Sequence, residues 1–376
     1  MLKYYKQTAI IFLNTLIFLL LLNFILAVFY SYKEKNQANY DNQITQKYGK
    51  EAVTKAYPHL SYSQINQLLT ETWNRPLAYN YYTTFKEKPF KGTYVNIHSA
   101  GFRFIKDQSA WPIDTSKYNI FVFGGSTTFG YGVADQETIP SYLQNLLNKN
   151  SRTKKQIAVY NFGTAFYYSV QEKLFFEKLI YQNQVPDLAI FIDGLNDVGV
   201  FAEPSYATEM RNLYEGKPGF FLQKWVKQIP LMRLVYAIQG RILKNTEANI
   251  PDFCAPSHLE RCYNRYIQTK SMIEAVASQK RINTLFVWQP SSRYLYFPKE
   301  DLFGVRNAYN PNSRDCAYTY FFKNLKELEA QGNFIWLADM QKNKKQNLYV
   351  DKVHYSNKLN FIIADTLATY LSQNLL

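Results

Sequence analysis

The stretch Asn119–Val133, NIFVFGGSTTFGYGV, decides the fold. Its apolar run from Ile120 to Phe123 reads as a buried strand, and the run stops at two glycines, a serine and two threonines, residues of a tight turn. Further apolar runs follow at Ile157 to Asn161, Leu188 to Ile192, Leu285 to Trp288 and Phe334 to Leu337. Between them lie segments of helical spacing: Ile139 to Leu147, Val170 to Tyr181, Tyr263 to Gln279, Tyr320 to Ala330 and the closing Asn357 to Leu371. Such alternation predicts parallel strands joined by right-handed crossovers, an α/β flavodoxin-like three-layer sandwich with a central parallel sheet. The turn at Ser126 then falls at the carboxyl end of the sheet, where open α/β folds bind ligands.

Three familiar turn motifs fail on particular residues. A phosphate-binding loop needs lysine where Tyr131 stands after Gly125 to Gly130, and a dinucleotide fingerprint that starts at Gly130 meets Asp135 in place of its last glycine. The nucleophile elbow G-x-S-x-G begins at Gly124 and ends on Thr128. A serine also needs a base, an orienting acid and donors for an oxyanion. Three later stretches offer them at the same sheet edge: NFGTAF with Gly163, DGLNDV with Asn196, and YVDKVHYS with Asp351 and His354. Read residue by residue, Ser126 is equally a turn residue, and Asp351 and Ser356 are rival caps for the last helix.

Taken together the four blocks resemble the SGNH (GDSL-type) hydrolase superfamily over about Tyr118 to Leu371. Gly124-Gly125-Ser126-Thr127-Thr128 is similar to the first block, with Gly125 in place of the usual aspartate. Gly163 matches the lone glycine, Gly194 to Asp197 the G-x-N-D block, and Asp351 to His354 the D-x-x-H block. An upstream Gly-Phe-Arg at Gly101 to Arg103 occurs in some members. The resemblance implies Ser126 as nucleophile, His354 as general base and Asp351 as its orienting acid. It implies an oxyanion hole from the N–H groups of Ser126 and Gly163 and the Asn196 amide, and a reaction that needs no metal or other cofactor.

Outside the blocks, Ala9 to Phe29 contains no charged residue and is long enough for a membrane-spanning helix of roughly 20 residues. Its length and the lack of an A-x-A-like site favour an uncleaved signal-anchor over a signal peptide. The expected organisation is a transmembrane anchor over 1–35, a stalk and extension over 36–117, and a hydrolase-like domain over 118–376 with an insertion at about 199–264. The catalytic domain is expected on the extracytoplasmic side, periplasmic or extracellular. The 376 residues are 47% hydrophobic, enough for a large core. The net charge of +14 favours anionic surroundings. Because that charge is spread along an exported chain, the expected partner is an acylated carbohydrate, an envelope polymer or a lipid, and no nucleic acid.

Two local readings stay open. Cys254 and Cys262 bracket CAPSHLERC, with His258 between them and Cys316 alone, so a small disulfide loop, free thiols and a metal site are the alternatives. Within the insertion, Phe220 to Lys244 is basic, amphipathic and free of acidic residues. It reads as a lid or packing element, a contact with an anionic membrane surface, or a contact with an acidic polymer.

Overall fold

A computed structural model describes residues 2–38, 42–150, 155–199, 219–243, 252–305 and 315–375. Five strands form the parallel sheet: β1 Tyr118–Gly124, β2 Ile157–Asn161, β3 Leu188–Asp193, β4 Asn283–Trp288 and β5 Phe334–Trp336. Their spatial order is β2-β1-β3-β4-β5, the flavodoxin-like arrangement whose switch point lies beside β1. Each of β1, β2 and β3 is buried almost end to end, as a sheet covered on both faces requires.

The two faces differ in chemistry. Ile120, Val122, Ile190, Ile192, Leu285 and Val287 form an aliphatic face. It packs on helices Ile139–Asn150 and Asn357–Asn374 through Leu143, Leu147, Ile363 and Leu367. The alternate residues carry rings. Phe123, Phe191 and Phe286 are register partners on β1, β3 and β4 and stack with centroids 5.0 and 5.2 Å apart. Helices Ser169–Tyr181, Pro256–Gln279 and Asp315–Lys323 cover that side, with Phe176, Tyr266 and Phe321 reaching the ladder or Trp288 beside it. The expected helix over Tyr320 to Ala330 is broken at Asn324, whose side chain turns back to donate to the Tyr320 carbonyl.

The chain forms two compact units, one of Asn42–Ala202 with Asp252–Leu376 and the other of Met1–Asp41 with Glu203–Pro251. This corrects the expected stalk. From Asn42 the chain belongs to the sheet-bearing unit. Ile65, Leu68 and Leu69 of helix Tyr62–Trp73 share a buried cluster with Val53, Tyr57 and Val350. That helix starts in a capping box in which Ser61 and Gln64 satisfy each other's N–H groups. The insertion is also shorter than expected, because helix Pro256–Gln279 belongs to the sheet-bearing unit. In the other unit, helix Leu2–Ala38 contains the single stretch among the described residues long and apolar enough to cross a membrane. The basic segment forms helices Phe220–Gln228 and Pro230–Leu243, broken at the proline; Lys244 lies outside the described residues.

The cysteines pair differently from the small loop considered above. Cys254 bonds Cys316, with Cα atoms 5.6 Å apart, and Cys262 is a buried free thiol. The reason is where the helix begins. Cys254 precedes Pro256–Gln279 and reaches the first turn of Asp315–Lys323, whereas Cys262 is carried inside the helix to a place 3.4 Å from His258 Nε2.

Three carboxyl groups, Glu172, Asp193 and Asp197, are buried together at the end of β3. Burial raises Glu172 and Asp193 well above the ordinary carboxylate range; Asp193 and Asp197 push Glu172 further, and Asp197 pushes Asp193 up against the opposing hydrogen bonds of Glu172 and Tyr266. A carboxyl raised in the folded state contributes most below its unfolded value, and that contribution falls as pH rises toward the folded value. Glu172→Gln is therefore expected to gain stability over the wild type between pH 5 and pH 8, measured as the difference in thermal midpoint. A difference that shrinks or reverses over that range would show that Glu172 is ionised in the folded protein.

Candidate active site

Ser126 opens a one-turn helix, Ser126–Phe129, directly after β1. The turn closes at Gly130, whose N–H donates to the Ser126 carbonyl and whose φ of +91° is the left-handed conformation that glycine adopts without strain. Ser126 Oγ donates to His354 Nε2 at 2.9 Å, and His354 Nδ1 donates to Asp351 Oδ2 at 2.7 Å. As an acceptor, Asp351 fixes the proton on Nδ1 and leaves Nε2 as the base. Asp351 Oδ1 accepts from the Val353 and His354 N–H groups at 2.6 and 2.7 Å, which holds the three-residue turn in shape. Burial pushes the Asp351 carboxyl up, but His354 and those N–H groups outweigh it, and the carboxyl stays below its ordinary range. Ser356, not Asp351, caps helix Asn357–Asn374, so the acid is left to the histidine.

Asn196 follows β3 and its Nδ2 donates one hydrogen to the Tyr167 carbonyl at 2.7 Å, which leaves its second hydrogen for another acceptor. The same placement accounts for Gly125. A Cβ there would lie 2.6 Å from Asn196 Nδ2 and 3.2 Å from the Tyr167 carbonyl, so the aspartate of the family block has no room.

Gly163 is placed differently from the expected donor. Its N–H donates to Asn161 Oδ1 at 3.0 Å, and a Cβ would strike the Phe129 backbone nitrogen at 2.3 Å. Its missing side chain lets the loop close on the Ser126 helix, and its N–H is already used. Three residues on, Phe166 has an exposed side chain and a φ of +65°, a conformation that costs a bulky residue about 1–2 kcal/mol. Its surroundings impose it. Thr164 N–H donates to the Gly124 carbonyl, Ala165 N–H to Glu87 Oε1, and Tyr167 Oη is hydrogen-bonded to the Thr83 hydroxyl and the Phe85 carbonyl. Among the described residues no group accepts from the N–H of Phe166 or from that of Ser126. The segment carrying this unpaired N–H runs alongside Gly124 and Gly125, and no signal in the sequence singles out Phe166.

Other contributors also lie outside the four blocks. The Tyr131 ring stacks on the His354 imidazole at 5.3 Å and Trp73 meets it edge-on at 5.5 Å. Gln289 Oε1 receives the Thr127 hydroxyl at 2.6 Å and lies 3.1 Å from that of Tyr355, which also reaches the Pro290 carbonyl at 2.6 Å, so the residue after the serine and the residue after the histidine meet at Gln289 and Pro290. Arg103 is fully buried, and donates to the carbonyls of Phe129, Gly130 and Val133 and to Asp135 Oδ1. Burial pulls its guanidinium below its ordinary value, and Asp135 opposes that. Of the other histidines, His59 faces Glu137, His98 stacks on Phe102, and His258 meets the Val198 carbonyl.

No protein-family model and no curated protein matches this sequence. Solved structures similar to it include an acetyl xylan esterase at 14% identity, covering 67% of this chain and 99% of the other, with a TM-score of 0.39. A catalytic mutant of an acetylxylan esterase from Geobacillus stearothermophilus is similar at 15% identity, over 69% of this chain and 96% of the other, TM-score 0.38. A member of the lipolytic G-D-S-L family from Veillonella parvula is similar at 11% identity, over 68% and 99%, TM-score 0.39.

Proposed function

We propose that this chain is a membrane-anchored serine esterase that removes acyl groups, acetyl among them, from a carbohydrate or lipid of the cell envelope. One observation carries the reading: the unbroken line from Ser126 Oγ through His354 to Asp351. Ser126 Oγ attacks the acyl carbon as its proton passes to His354 Nε2, and the imidazolium is balanced by Asp351. The oxyanion is met by the N–H groups of Ser126 and Phe166 and the second hydrogen of Asn196 Nδ2. Collapse breaks the ester bond, and the departing alkoxide takes the proton from Nε2. Water then attacks the acyl-enzyme, gives its proton to His354, and releases the acid and the Ser126 hydroxyl.

The Cys254–Cys316 disulfide favours an oxidising compartment, which supports an extracytoplasmic catalytic unit beyond the Ala9 to Phe29 span. The exposed Phe166 ring and the partly exposed Trp73 and Tyr131 suit stacking on the apolar face of a sugar. The oxyanion assignment separates two variants. Asn196→Ala is expected to lose about 10²–10³-fold in turnover, because one donor is gone. Phe166→Gly keeps its N–H and is expected to stay within a few-fold on a small chromogenic ester. The reverse order would move the donor elsewhere.

The test of function has two arms: labelling of Ser126 by a serine-directed phosphonate in one sample and, with unlabelled enzyme, an acyl donor supplied with rising concentrations of a glycan acceptor. Free acid as the main product at every acceptor concentration is the expected result. Acylated glycan as the main product would make the chain an O-acyltransferase. No labelling and no turnover on any ester would make it a glycan-binding or assembly protein.

A further inference from the structure

The anchor-containing unit holds a contact that the apolar span alone does not call for. Asn23 is one of three polar residues in Ala9 to Phe29, and its Oδ1 accepts the Leu231 N–H at 3.0 Å. Leu231 is the second residue of helix Pro230–Leu243, where a backbone N–H has no partner within its own helix. Each polar group therefore removes the other's cost of lying in an apolar medium. Around this bond Leu22, Leu26, Ala27 and Tyr30 are partly covered, whereas the described residues before Leu22 on the same helix are exposed. The cover comes from the start of helix Pro230–Leu243, which packs on this stretch.

The contact has a depth. Asn23 lies six residues before Phe29, about 9 Å along a helix axis at about 1.5 Å per residue. The tip Ile229 to Met232 is uncharged, and Lys227 and Arg233 flank it. Arg233 places its guanidinium 4.3 Å from the centre of the Tyr30 ring, one residue beyond the apolar run, at the level where aromatic and basic side chains meet headgroups. Beyond the tip, Leu222, Trp225 and Ile238 expose apolar surface among the basic residues of a segment that has no acidic one.

We propose that helices Phe220–Gln228 and Pro230–Leu243 form a membrane-dipping hairpin, docked on the spanning helix by Asn23, with its tip among the acyl chains and its flanks on anionic headgroups. The occupant of the exposed apolar face is lipid. Its apolar surface continues that of the spanning helix, and five basic residues between Phe220 and Lys244 complement acidic lipid. The proposal rests on the anchor reading given above.

The test uses the full chain in nanodiscs containing phosphatidylglycerol, with one nitroxide at a time on L19C, W225C, I238C or, as a water-exposed reference, Y181C. Oxygen and a water-soluble nickel complex report depth. The expected result is that Leu19, Trp225 and Ile238 labels all favour oxygen over nickel relative to the Tyr181 label. Adding N23L is expected to shift the Trp225 and Ile238 labels toward water and leave the Leu19 label unchanged. A deep Leu19 label with Trp225 and Ile238 labels in water would overturn the hairpin and leave the anchor standing. A Leu19 label in water would overturn both. Labels in water that become immobile only with a soluble polyanion would assign the face to an acidic polymer and overturn the lipid proposal. Labels that ignore N23L would overturn the docking role of Asn23.

Discussion

Ser126→Ala is expected to lower ester turnover about 10⁴- to 10⁶-fold, and the double variant with His354→Ala is expected to be no slower than either single one. The reason is the shared path of one proton. Without the hydroxyl the imidazole has nothing to deprotonate, and without Nε2 the hydroxyl is a weak nucleophile. The binding energy and the oxyanion donors remain, so a residual rate above water survives in all three variants. Ser126→Ala removes an oxygen whose partner is His354 Nε2, and its thermal midpoint is expected to stay within a few degrees of the wild type. Turnover of each variant should be followed with a chromogenic ester alongside thermal unfolding. If the double variant lost the product of the two single losses, Ser126 and His354 would act independently and the triad assignment would fail.

The second large effect is expected on stability. Arg103→Met leaves the carbonyls of Tyr94, Phe129, Gly130 and Val133 and the Asp135 carboxylate facing a buried thioether, and is expected to cost about 3–5 kcal/mol, the range for breaking one side of a buried ion pair. A midpoint lowered by about 5–8 °C follows from the size scaling of unfolding entropy. Arg103→Lys is expected to recover little. An ammonium is a point charge and cannot spread over carbonyls at Phe129, Gly130 and Val133 as a planar fork does. Turnover should fall with it at temperatures where the fold persists, since the held carbonyls belong to the loop that follows Ser126. A lysine variant matching the wild type in both measurements would show that charge alone is needed at that position.

Much of the sheet is legible because β1, β2 and β3 are covered on both faces, and a strand buried twice writes itself as an unbroken apolar run. Ser126, Asn196, Asp351 and His354 are legible for a different reason: each follows a strand or precedes a helix at one edge, and the turns concentrate glycine and polar residues. Trp73 is harder to see, and Arg103 shows only through the Gly-Phe-Arg resemblance, which says nothing of the carbonyls it holds. Both come from a polar stretch whose burial is achieved by short hairpins and single side chains, with no repeat to betray it. The pairing of Cys254 depends on where a helix starts, a matter of one or two residues. Gly163 misleads because glycine signals a close approach without saying to what, and Phe166 hides because a phenylalanine gives no hint of a positive φ. Its conformation is imposed by Gly124, Glu87, Thr83 and Phe85, all distant in sequence.

The ring ladder of Phe123, Phe191 and Phe286 has a consequence for how the chain assembles. Phe191 and Phe286 meet only after the chain has left β3, passed through Glu203–Pro251, and returned to β4. That excursion roughly doubles the length of the connection. Closing a flexible loop of twice the length costs only about 0.6 kcal/mol more, because the entropy grows with the logarithm of length. One stacked aromatic pair offsets a penalty of that size. The junction between β3 and β4 is thus a place where the sheet can accept a long inserted segment with little loss of stability. Contact order rises instead, and the burden falls on speed: the pairing of β3 with β4 is expected to be a late event in folding.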